Sequence, residues 1–74
     1  MDRARWRRTF AKTLRSMMAN RGITQEDMCK LTGASKTSMN YYVLGKSEPA
    51  AYMVYRIADA LDVSADALLG NWKV

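Results

Sequence analysis

Between Ser35 and Lys46 the chain reads SKTSMNYYVLGK, which crowds Lys36, Thr37, Asn40 and Tyr41 into six residues. At helical spacing these positions share one face, with Leu44 one turn on. Ala, Glu or Lys would form a better helix there, so the residue types answer to something other than helix propensity. Their chemistry is that of base recognition. An Asn amide pairs bidentately with adenine, a Lys ammonium donates to guanine, and a Thr offers a hydroxyl or a contact to the thymine methyl. Small side chains also let a helix backbone approach its ligand closely.

Other chemistries find no support. There is no His and a single cysteine, Cys29, so a metal site is not expected. No paired carboxylates, nucleophile–base set or phosphate-cradling loop occurs, so the chain does not read as an enzyme and implies no cofactor. No small-molecule ligand is evident. Cys29 reads as a small core residue, and the six methionines as core filler. One cysteine forms no internal disulfide, which fits a reducing compartment. The longest apolar stretches are too short to span a bilayer.

Charge is concentrated at one end. Residues 1–21 hold seven basic groups and one acid, a net of +6, whereas residues 22–74 hold five basic and six acidic groups, a net of −1. Such a patch points to an anionic partner, nucleic acid or a membrane surface. The plain alternative is a solvated helix face. An Arg-rich start also suits a transit peptide, but Trp6, Phe10, Leu14 and Met17 look like core for the domain that follows. No apolar segment of the secretory kind follows the arginines.

Seventy-four residues make one domain, 1–74. The pattern predicts five helices and no convincing strand, an all-α fold. Helix 1 runs from about Arg3 to Asn20. It carries an apolar stripe of Trp6, Phe10, Leu14, Met17 and Met18, and a basic stripe of Arg5, Arg8, Lys12 and Arg15 on the opposite side. Gly22 closes it. Thr24 caps helix 2, whose core contacts are Met28 and Leu31. Thr32-Gly33-Ala34 is a turn. Ser35 caps helix 3, which runs to about Leu44 with Met39, Tyr42 and Val43 inward. Helix 4 spans about Ala51 to Leu61, with Val54, Ile57, Ala58 and Leu61 inward and Tyr52 and Met53 at the edge or outside. Ser64 caps a short helix 5 carrying Leu68 and Leu69, and residues 70–74 form a tail.

Two short helices joined by a tight Gly-containing turn, here about residues 24–44, make a helix-turn-helix. In that motif the second helix lies in the DNA major groove. Residues 14–69 resemble the Cro/lambda-repressor helix-turn-helix family, often called XRE-type. The resemblance rests on ITQEDMCKLTGAS, then MNYYVLGKSEP, then RIADALDVSADALL. It implies a compact five-helix lambda-repressor-like domain in the bacterial cytoplasm or nucleoid. Such a domain would bind double-stranded operator DNA as a transcriptional regulator, most simply a small phage- or prophage-type repressor.

The resemblance also implies roles. Gln25 would bond a phosphate and brace the start of helix 3. Lys36, Thr37, Asn40 and Tyr41 match positions that read bases or flank them. Ser38, Tyr42 and Lys46 match backbone-contacting positions, and Arg5, Arg8 or Lys12 would add phosphate contacts from helix 1. The region of helix 5 and the tail often dimerises in the family, which implicates Leu69 and Trp72. The alternative for Trp72 is that it folds back on its own domain.

Two departures from the family stand out. Many members pair an Arg late in helix 1 with a Glu late in helix 3, and here those positions are Met18 and Val43. Because both charges are missing together, no lone buried charge remains, and the two side chains are expected to pack on or near each other. The second departure is Tyr41, a bulky residue on a groove-facing surface. It would stack on sugar-phosphate, touch a thymine methyl or mark a shifted docking angle. A rival reading uses Tyr41, Tyr42, Leu44 and Tyr52 to dock a protein partner, as an antitoxin-like module would. A weaker one uses the N-terminal arginines alone on RNA or a membrane surface.

Overall fold

The computed structural model describes residues 2–69, which fold as five α-helices with no strand among them. They are α1 (Arg3–Arg21), α2 (Gln25–Thr32), α3 (Lys36–Leu44), α4 (Ala51–Leu61) and α5 (Ala65–Leu69). The expected tail and Trp72 lie outside the described residues. Among those residues no helix is long and apolar enough to cross a membrane.

Local chemistry sets most helix ends. The Asp2 carboxylate accepts the Arg5 N–H at 2.8 Å and so starts α1. Thr24 and Asp27 form a capping box at α2: the Thr24 hydroxyl takes the Asp27 N–H at 3.1 Å, and the Asp27 carboxylate takes the Thr24 N–H at 3.0 Å. Ser35 caps α3 through the Ser38 N–H at 3.1 Å, and Ser64 caps α5 through the Ala67 N–H at 3.1 Å. Three helices stop at a left-handed glycine, and α4 stops at Asp62, also left-handed at φ 56°.

Gly45 does more than turn the chain. A Cβ there would lie 3.3 Å from the Arg7 carbonyl oxygen and 3.5 Å from the Ala11 methyl, on a backbone with φ +73°. The C-terminal end of α3 therefore sits directly against the N-terminal half of α1. Only glycine combines this conformation with that closeness.

One core joins all five helices: Phe10, Leu14 and Met18 from α1, Met28 from α2, Met39 and Val43 from α3, five residues of α4, and Leu68. Trp6 is half-buried against this core and stacks on Phe10, with ring centroids 5.1 Å apart. Met17 and Tyr42 also pack on its edge. Met18 and Val43 are both buried in the cluster, as the paired loss of charge leads one to expect.

Three expectations change. Leu31 is not a core contact of α2; it is 56% exposed, and Thr32 is buried at 1% in its place. Thr32 is four residues after Met28, on the same side of this short helix, and its hydroxyl is satisfied there. It donates to the Met28 carbonyl at 2.7 Å and accepts the Ala34 N–H at 3.2 Å. Met53 is buried at 7% rather than peripheral. Helix α4 packs against α1, α2 and α5 at once, which widens its buried arc beyond a single stripe. Arg15 leaves the solvated basic stripe to donate its guanidinium to the Val43 carbonyl of α3.

Candidate nucleic-acid interface

The turn between α2 and α3 is short because Gly33 takes φ 81°, and its N–H still closes α2 onto the Cys29 carbonyl at 2.9 Å. This brings the start of α2 beside the outer face of α3. An open groove results. Gln25, Glu26 and Cys29 line it from α2, and Lys36, Thr37, Asn40 and Tyr41 line it from α3. The four candidate base readers and Gln25 thus meet in one place, although Gln25 and Asn40 are fifteen positions apart in sequence.

Lys36, Thr37, Asn40 and Tyr41 are all exposed, and their inner neighbours Met39 and Val43 anchor the helix beneath them. The candidate readers therefore project from a fixed support. Ser38 is half-buried, and its N–H is already used by the Ser35 cap. Tyr42 is half-buried against the core. Lys46 lies just past α3 with its ammonium 6.0 Å from the Tyr41 ring centroid.

The basic end divides into two populations. Arg3 and Arg7 both bond Glu48, at 2.8 and 3.2 Å, and tie α1 to the α3–α4 connection. The Arg3 hydrogen bond foremost holds the Glu48 carboxyl below its usual range. Arg15 is held by the Val43 carbonyl. Arg5, Arg8 and Lys12 remain exposed and make no salt bridge among the described residues. They do not line the groove, so a ligand touching them must extend past α3.

Glu26 and Cys29 were not among the expected site residues. Cys29 lies one turn after Gln25, so helical periodicity would have placed it there. Glu26 is paired only loosely, 3.7 Å from Lys30 on the exposed surface of α2. Glu48 had no local signal at all, since its partners are 41 and 45 residues away. Leu69, expected at a dimer contact, is half-buried on the core and borders a second groove with Trp6, Val54 and Tyr55.

The sequence of residues 9–70 matches the family described as the helix-turn-helix domain. The chain belongs to that family. Over 49 residues it is 41% identical to the cryptic phage CTXphi transcriptional repressor RstR of Vibrio cholerae serotype O1, covering 66% of this chain and 44% of that protein. Its fold is similar to that of an HTH_3 family transcriptional regulator from Vibrio cholerae, with a TM-score of 0.85 and 26% identity over 95% of this chain and 39% of the other. The chain therefore spans less than half the length of either relative. At 22% identity, the restriction-modification controller protein C.AhdI from Aeromonas hydrophila shares the fold, with a TM-score of 0.85 over 92% of this chain and 99% of that one. The helix-turn-helix identified from the sequence, α2–turn–α3, falls wholly inside the matched residues.

Proposed function

We propose that this helix-turn-helix domain binds duplex DNA sequence-specifically and represses transcription by occupying an operator. Helix α3 enters the major groove with Lys36, Thr37 and Asn40 against base edges and Tyr41 flanking them. Gln25, Ser38, Tyr42 and Lys46 hold phosphates, and Arg5, Arg8 and Lys12 extend the phosphate track along α1. The observation that carries this reading is the groove itself. It gathers hydrogen-bonding side chains of three kinds on the exposed face of a helix whose other face is core.

A single α3 spans only a few base pairs, so the reading includes a homodimer on a palindromic operator, its half-sites about one helical turn apart. Leu69 and Trp72 are the proposed contact. Likeness to a phage repressor favours a phage- or prophage-type regulator.

The test is selection of bound duplexes from a random pool near physiological salt, with sedimentation at tens of micromolar protein. A palindromic consensus and a dimer are expected. Failure to enrich any sequence would reject specific reading. It would turn attention to protein docking through Tyr41 and Leu44, which are half-exposed on the same face of α3.

A further inference from the structure

Tyr41 departs from the small and linear polar residues around it, and its surroundings say why. The chain leaves α3 through Gly45, and the Lys46 N–H then returns to the Tyr41 carbonyl at 2.9 Å while the Gly45 N–H bonds the Tyr42 carbonyl at 3.2 Å. This closure pins the Lys46 backbone over the last turn of α3, whatever its side chain does. The lysine stem then runs back toward the Tyr41 ring, bringing the ammonium to 6.0 Å from its centroid. Tyr41 is itself only 45% exposed and lines the groove beside Asn40 and Lys36. No carboxylate lies within salt-bridge distance of Lys46 among the described residues.

We infer that Tyr41 is a positioning residue: its ring face holds the Lys46 ammonium at the C-terminal end of the reading face, where it meets a DNA phosphate. This rests on the proposed DNA-binding function. A lysine on a free loop loses considerable rotamer entropy when it is fixed on a phosphate. An aromatic face attracts the ammonium beforehand and removes part of that loss. The aromatic face leaves the ammonium's charge unneutralised, as a carboxylate partner would not, so Lys46 stays available to an anion. Tyr41 thereby contributes to affinity on every sequence rather than to the choice of base.

The test combines two measurements on the whole chain. In the free protein, proton NMR of the Lys46 ε-methylene should show an upfield ring-current shift that disappears in Tyr41→Leu and remains in Tyr41→Phe. On DNA, affinity is measured against salt for wild type, Tyr41→Leu, Lys46→Ala and the double variant, with a selected operator and a scrambled duplex. Lys46→Ala should weaken both duplexes severalfold and flatten the slope of log affinity against log salt by about 0.9, the value of one phosphate contact, whereas Tyr41→Leu should weaken both duplexes by a smaller factor because Lys46 keeps its charge. The double should be no worse than Lys46→Ala, and Tyr41→Phe should bind both duplexes as wild type does. Additive losses, or a Tyr41→Leu effect confined to the operator, would make Tyr41 an independent reader and overturn the inference alone. A wild-type chain that binds neither duplex would overturn the DNA-binding reading together with it.

Discussion

The Arg15 guanidinium donates a hydrogen bond to the main-chain carbonyl of Val43, across 28 residues, from α1 to the last turn of α3. That carbonyl lies at the negative end of the α3 dipole, so a cation there is doubly favoured. Beside this contact the Met18 and Val43 side chains are both buried in the core. Helix α3 is thus held at its end by Arg15 and by the close approach at Gly45. Arg15→Ala should cost about 1–2 kcal/mol, as loss of a charged hydrogen bond implies, and Arg15→Lys should recover only part of it. Urea denaturation of the three proteins measures both.

Gly45 and Gly22 have similar backbone angles but different surroundings. Gly22→Ala meets nothing within 4 Å and bears only the left-handed strain, about 1 kcal/mol. Gly45→Ala adds a contact with the rigid Arg7 carbonyl and should destabilise by about 2 kcal/mol or more. Equal melting temperatures for the two variants would show that α1 yields at this crossing.

Thr32 and Leu31 invert the usual expectation for a buried and an exposed residue. Thr32→Val keeps the shape but removes the acceptor of the Ala34 N–H, and should cost about 1–3 kcal/mol. Leu31→Gln, at an exposed site, should stay within about 0.5 kcal/mol of wild type. Thermal unfolding of the pair separates the two cases.

Base readers and phosphate ligands should differ in kind. Lys36→Ala or Asn40→Ala should cost about 1–3 kcal/mol on the selected operator and relax preference at one base pair. Arg8→Ala should weaken all sequences alike and flatten the salt slope by about 0.9. An equal loss on random DNA for Asn40→Ala would remove it from direct readout. An unchanged slope for Arg8→Ala would assign that arginine to the solvated face.

Acid should loosen the α2 cap. The Asp27 carboxyl is held below its usual value, first by the Thr24 backbone hydrogen bond, and Asp2 and Glu48 are likewise lowered by the Arg5 N–H and the Arg3 side chain. A carboxyl whose folded value is depressed contributes stability that is present above its unfolded value and is lost as pH falls through the folded one. The loss should therefore begin near pH 4 and continue below it. Asp27→Asn should flatten this acid limb while leaving the neutral-pH fold intact, which circular dichroism against pH reads directly.

Much of this protein is determined within a few residues along the chain. Thr24 with Asp27, Ser35 with Ser38, and Ser64 with Ala67 set helix starts over three positions, and the i, i+3, i+4 rhythm separates Met39 and Val43 from Lys36, Thr37 and Asn40. These are short-range effects, so the five helices, the turn at Gly33 and the exposed polar face of α3 are legible without coordinates. Tertiary packing decided the remainder. Leu31 and Thr32 exchange roles because α2 packs against α3 and α4 through the side that carries Met28 and Thr32. Met53 is buried because three helices converge on α4. The basic end divides because Glu48 and the Val43 carbonyl come within reach of Arg3, Arg7 and Arg15 only once α1 crosses α3. Local periodicity shows which side of a helix is apolar. It does not show how wide a buried arc several neighbours will demand, or which distant polar atom a long arginine will find.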